Sequence, residues 1–212
     1  MAAAAYRHIE RRRPKRVVLL GFAHHGCPPG LWIPDVASVR TPFGEVRLDP
    51  EAIADLKSGG IFRTLPEARL CDHSIEIQLP LLQRAAPESS IVPVYVSRLG
   101  ERAREEAARV LVQRIRAGDV LVASSDLTHY GSGFGYQPFP VDSRVEERLR
   151  DLDLSALDAA GSLRPELFLR TLRGTSATVC GYEPISLLLA VIRGSEDGQE
   201  PFQQILDYQT SG

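Results

Sequence analysis

Imidazoles, carboxylates and a thiol recur in four short segments of this 212-residue sequence, each placed where a regular element should begin or end. Ala23-His24-His25-Gly26 follows the branched apolar run Val17 to Leu20, and Ser124-Ser125-Asp126-Leu127-Thr128-His129-Tyr130 follows Val120 to Ala123. In open α/β sheets, ligands bind beyond the carboxyl ends of the strands, so both segments are predicted to open into one crevice that holds several imidazoles. His24 and His25 are neighbours whose side chains diverge, so at most one faces a shared metal while the other steers a substrate or caps a loop. The competing reading is a pair of loop histidines bonded to backbone. Asp72-His73-Ser74-Ile75-Glu76 opens a helix and sets His73 and Glu76 on one face, a pairing able to bind metal. Equally, Asp72 can cap that helix while Glu76 complements its dipole. Thr178-Val179-Cys180-Gly181 precedes the last long helix, where dipole and nearby imidazoles favour a thiolate that ligates metal or attacks an electrophile. Cys27 and Cys71 read as inert buried thiols.

Ser125, Asp126 and His129 have the residue types of a hydrolytic triad, but they lie too close in sequence for its usual relay. Gly131-Ser132-Gly133-Phe134-Gly135 lacks the Lys-Ser/Thr pair of a phosphate loop and reads as a flexible loop. The basic run Arg11 to Arg16 reads as solvated surface.

The elements that must carry these segments alternate. Met1 to Glu10 is alanine-rich and predicted helical. Val17 to Leu20, Ile91 to Val96 and Asp119 to Ala123 read as buried strands. Val36 to Arg40 and Glu45 to Leu48 bracket Pro42 and Gly44 as a hairpin. Asp49-Pro50 caps and opens a helix that Gly59-Gly60 closes. Ser74 to Ala86 reads as a helix that Pro80 either kinks or joins near its first turns. Glu101 to Arg116 is an amphipathic covering helix, and Asp142 to Leu157, Pro165 to Leu172 and Tyr182 to Ile192 complete the helices. Phe202 to Tyr208 is predicted to close the sheet as a strand. The expected fold is α/β, one domain over residues 1–212, with a mainly parallel or mixed sheet covered by helices on both faces.

Composition narrows the function. Acidic and basic residues number 27 and 25, for a formal charge of −2, so no global field draws the chain to nucleic acid or an anionic membrane. The apolar runs fall well short of the roughly 20 residues that span a bilayer. Three cysteines and no leader-like opening are expected of a cytoplasmic protein. The arginine-rich basic set, with lysine only at Lys15 and Lys57, suggests a bacterial source.

Read in order, Leu20-Gly21-Phe22-Ala23-His24-His25, Arg40-Thr41-Pro42-Phe43-Gly44, Asp72 to Glu76, Ser124 to Gly131 and Thr178 to Gly181 resemble the Memo family, whose prokaryotic branch is labelled AmmeMemoRadiSam system protein B. The resemblance runs from about Tyr6 to the C-terminus. It implies a fold like that of class III extradiol ring-cleaving dioxygenases, which hold non-haem iron with two histidines and a carboxylate. Memo proteins replace the carboxylate with cysteine. By that resemblance His24 and Cys180 are metal ligands for divalent iron or copper, His129 is a pocket acid or base, and Asp126 and His73 line the pocket. A functional association with a radical SAM protein is implied as well. The family's other metal histidine lies in a segment upstream of the first helix here, and family members continue past Gly212 into a final strand. The chain is therefore expected to be a fragment or a degenerate member, with its metal affinity lowered unless His25 or water fills the missing ligand position. If the missing strand pairs in the sheet, the edge it leaves is expected to promote dimers or aggregates. Ala23 stands where serine is usual.

Two functions compete. One is a metal-dependent oxidoreductase, dioxygenase-like, acting on a small molecule, with His129 and Asp126 as catalytic groups. The other is a non-catalytic module that captures a peptide or an anion in the same crevice, using His25 and His73 with Trp32 and Tyr130 at its edge. Hydrolysis by Cys180 or Ser125 is a weaker third.

Overall fold

Runs of valine, leucine and isoleucine between turn residues form the centre of the molecule, described here for residues 2–24, 27–65, 72–195 and 201–211 by a computed structural model. β1 (Arg16–Phe22) lies between β6 (Ser90–Val96) and β7 (Val120–Ala123), parallel to both. Val17, Leu19 and Leu20 are fully buried, as expected of a strand covered on both faces. β2 (Leu31–Pro34) joins β6 antiparallel, and β5 (Phe62–Leu65) joins β2 parallel, giving the order β5-β2-β6-β1-β7. The sheet is thus mixed and mainly parallel. β3 (Ser38–Thr41) and β4 (Gly44–Arg47) form the expected hairpin around Pro42 and Phe43 as a separate two-stranded sheet.

Alternation along β1 assigns the helices to faces. The Phe22 ring lies 5.7 Å from Tyr182, the first residue of α8 (Tyr182–Gly194). Its neighbour Gly21 points the opposite way, into Ser74 and Ile75 of α3 (His73–Glu76). Helices therefore cover both faces. Behind α8 packs α5 (Glu101–Arg114), and beside α3 the terminal helix α1 (Ala2–Arg12) packs on α4 (Leu79–Ala85). Asp49 caps α2 (Pro50–Ser58), its side chain accepting from the Ala52 N–H at 2.9 Å. Ala156 and Ala160 of α6 (Val145–Gly161), Phe168 and Leu172 of α7 (Pro165–Thr175), and Val179 and Leu189 form a second apolar cluster beside the main core.

Three expectations change. Ser74 to Ala86 is not one helix but α3 and α4, because Pro80 lacks an N–H and sits in the first turn of a new helix. Two strands, β2 and β5, go unanticipated; neither Leu31-Trp32-Ile33-Pro34 nor Phe62-Arg63-Thr64-Leu65 is a branched run or alternates strictly, and β2 follows Pro28-Pro29-Gly30. Phe202 to Tyr208 is not a strand. Residues 201–211 carry no regular structure and are anchored on α6 by their own side chains, Gln203 donating to the Leu157 backbone carbonyl and Tyr208 to the Asp153 carboxylate. Phe202 is 84% exposed, so the apolar pattern there has no buried face to fill.

The contact at Gly21 is a direct test of the packing under the His24 end of β1. A β-carbon there would sit 2.5 Å from Ile75 Cγ1 and 2.6 Å from Ser74 Oγ, in a region where Ile75 has no room to retreat. Gly21→Ala is expected to cost about 1–3 kcal/mol in denaturant unfolding; an unchanged midpoint would refute the close approach of α3 to β1.

Candidate functional site

The parallel register sets the carboxyl ends of β1 and β7 side by side, with the Ser124 N–H donating to the Leu20 carbonyl at 2.8 Å. The His24 and Ser124-to-Tyr130 segments leave the sheet together there, as the strand-end argument requires.

Asp72 organises the first group. Its carboxylate accepts from the Ser74 N–H at 3.0 Å, which caps α3. It also accepts from the His24 backbone N–H at 2.7 Å and lies 3.0 Å from His24 Nδ1. Burial raises the Asp72 pKa, but the bonds from Ser74 and His24 together outweigh burial and hold it below the usual carboxylate range. An ionised carboxylate only accepts, so His24 Nδ1 carries the proton and, in the neutral ring, Nε2 carries the lone pair. A carboxylate on the far nitrogen is the arrangement that orients metal-binding histidines. The His73 ring stacks on His24 at 4.3 Å and is oriented toward Asp72 rather than paired with Glu76.

Thr178 organises the second group. The His129 N–H donates to Thr178 Oγ1 at 2.9 Å, and the Thr178 hydroxyl returns a bond to the His129 carbonyl. His129 Nδ1 lies 2.8 Å from the Thr178 carbonyl, which again only accepts, so Nε2 is the lone-pair nitrogen of the neutral ring. Nε2 lies 3.7 Å from Asp126 Oδ2. Cys180 Sγ accepts from the Asp126 N–H at 3.2 Å, and Ser125 Oγ lies 3.9 Å away. Gly181 is required where the two segments meet, since a β-carbon would fall 2.4 Å from Ser125 Cβ and 2.5 Å from the Ser124 carbonyl. The first turn of α8 is held from behind by Glu183, whose Oε1 accepts from the Leu99 N–H at 3.0 Å and whose carboxylate faces Arg104 of α5.

The ligand atoms of His24, Asp72 and His73 form one group within 4.8 Å of one another, and those of Asp126, His129 and Cys180 form another. Among the described residues, His24 and Cys180 fall in different groups. The Phe22 ring lies 5.0 Å from His24 and 5.7 Å from Tyr182, two residues after Cys180. His25 and Cys71 lie outside the described residues. Trp32 donates to the Pro28 carbonyl and carries Arg63 on its ring at 4.2 Å. Tyr130 turns back onto its own loop, donating to the Phe139 carbonyl and stacking on that ring at 5.0 Å. Ser125 donates to the Asp126 carbonyl and accepts from Gly181, so it makes no relay to His129.

One expectation about chemistry is corrected. Burial pushes the Cys180 thiol up, and the Asp126 charge adds to that, against the bonds from the Asp126 and Gly181 backbone and Ser125. The metal-free group is a thiol rather than a ready nucleophile. Sequence reasoning also missed Thr178 as the anchor of His129, and Phe134, whose ring lies 5.1 Å from His129. A threonine before a cysteine has no pattern of its own, and only the fold brings residues so far apart together.

The family model described as "Memo-like protein" matches residues 1–212. The chain belongs to the Memo-like family. Its relatives include Protein MEMO1 of Homo sapiens, 27% identical over 218 residues that cover 99% of this chain and 73% of that protein. Protein MEMO1 of Danio rerio is 28% identical with the same coverage, and the memo-1 homolog of Caenorhabditis elegans is 27% identical over 89% of this chain and 55% of its own length. A crystal structure of an uncharacterized Escherichia coli K12 protein shares the fold, with a TM-score of 0.57 at 17% identity over 95% of this chain and 84% of that one. Among the described residues of this Memo-like chain, no helix is long and apolar enough to cross a membrane.

Two outcomes follow for this Memo-like site. Because the Asp72 carboxyl lies below its ordinary value of 3.8, its contribution to stability is complete above that value and is lost as pH falls through the lower, folded one. The acid limb of the stability curve should therefore be shallower in Asp72→Asn than in wild type, by chemical denaturation across pH. Cys180 should alkylate more slowly than a free cysteine at neutral pH, followed by mass spectrometry; a faster rate would mean an activated thiolate.

Proposed function

We propose that the chain binds a redox metal, divalent iron or copper(I), at the carboxyl ends of β1 and β7, and acts as an oxidoreductase related to the extradiol dioxygenases. The observation that carries this reading is the convergence of Cys180, His129 and Asp126 ligand atoms within 4.8 Å, with the His129 lone pair directed by Thr178. The donors fit such an ion. Thiolate and imidazole suit iron and copper, and a carboxylate adds charge. In this reading Cys180 anchors the metal with His129 and Asp126 beside it, and His24, oriented by Asp72, is the further ligand that the family resemblance supplies. A bound metal would supply Lewis acidity and an electron-transfer partner at the crevice. The chain's own part is to hold the lone pairs in place and to move a proton at Asp126, whose side chain is 82% exposed beside Nε2.

A second reading is favoured by one observation. Phe134 is 61% exposed yet rests against the His129 ring, an apolar rim suited to grip a peptide or other ligand without chemistry.

Anaerobic calorimetric titration with iron(II) and copper(I) separates the two. The metal reading expects saturable one-to-one binding that Cys180→Ala abolishes. Asp72→Asn should weaken it by about 10–100-fold, the usual cost of losing a partner that orients a ligating histidine. No heat of binding for either ion would leave the binding module.

A further inference from the structure

Asp153 lies outside both ligand groups, on α6, and is 4% exposed. A buried carboxylate is costly unless donors satisfy it. Two do: the Thr128 N–H donates to Oδ1 at 3.0 Å, and the Tyr208 hydroxyl donates to Oδ2 at 2.9 Å. Thr128 immediately precedes His129. Residues 124–130 have no helix or strand of their own, so their course is set by acceptors at the flanks. Thr178 supplies those for His129, and Asp153 supplies the one for Thr128. Tyr208 belongs to residues 201–211, which carry no regular structure and meet α6 again through the bond from Gln203 to the Leu157 carbonyl at 2.9 Å. Burial and the Asp153 charge push the Tyr208 phenol up, so it stays a donor at any physiological pH. One carboxylate thus joins the segment 201–211 to the loop that presents His129.

We propose that Asp153 is a positioning residue for His129, and that Tyr208 makes residues 201–211 a brace for that loop through the same carboxylate. Loosening either bond frees the Thr128 amide, and the turn that aims the His129 ring at the Thr178 carbonyl relaxes with it. The proposal concerns the chain without metal. It stands or falls separately from the metal reading.

The test uses the full metal-free chain. Long-range proton–nitrogen NMR reads the His129 tautomer, and amide exchange reads Thr128, with α8 amides and melting temperature as controls for general destabilisation. Wild type should show the Nδ1–H tautomer and a protected Thr128 amide. Asp153→Leu should mix the tautomers and speed Thr128 exchange at least tenfold relative to α8. Asp153→Asn keeps an acceptor oxygen and should restore both. Tyr208→Phe removes one bond to a charged group and should speed Thr128 exchange roughly fivefold or more. A folded Asp153→Leu chain with the wild-type tautomer and exchange would overturn the proposal. If Asp153→Leu does not fold, Tyr208→Phe decides alone, and wild-type exchange in it would overturn the proposal equally.

Discussion

An imidazole can offer a metal or a substrate only the nitrogen that its surroundings leave unprotonated, and here oxygens that can only accept make that choice. Asp72 takes Nδ1 of His24, and the Thr178 carbonyl takes Nδ1 of His129. Both rings are therefore turned the same way electronically, with the proton on Nδ1 and the lone pair on Nε2 in the neutral form. Asp72 does this while also capping α3 and binding the His24 backbone, so helix start and ring orientation cannot be changed separately. Its depressed pKa is the electrostatic record of that triple use.

The sheet makes the arrangement possible. β1 is parallel to β7, so both loops leave on one side, and Gly21 and Gly181 let α3 and the start of α8 approach more closely than any side chain would permit. Glu183 then ties the start of α8 to Leu99 and Arg104, fixing where Cys180 sits. Burial keeps that sulfur protonated in the metal-free chain, so ligation would have to release a proton. The sulfur accepts from the Asp126 N–H, and Ser125 and the Asp126 and His129 side chains stand around it.

Much of this was legible in the sequence. Branched apolar runs announced β1, β6 and β7, and Asp49-Pro50 and Asp72 announced caps, because those signals are local. Polar segments after buried strands pointed to the crevice for the same reason. β2 and β5 were silent, since neither Leu31-Trp32-Ile33-Pro34 nor Phe62-Arg63-Thr64-Leu65 is a branched run or alternates strictly between apolar and polar, and 201–211 misled because its apolar residues stay exposed. Thr178, Asp153 and Tyr208 act on residues many positions away, and no spacing encodes that. The division of His24 and Cys180 between two groups likewise emerges only when the loops are placed.

The proposed metal centre stands on Cys180 and His129 holding one ion together. X-ray absorption of the chain loaded with one equivalent of Zn2+, a redox-silent probe, tests it most directly. One sulfur neighbour at about 2.3 Å and at least one imidazole nitrogen at about 2.0–2.1 Å are expected, the sulfur shell vanishing in Cys180→Ala. A coordination shell of oxygen and nitrogen alone in the wild-type chain would contradict it.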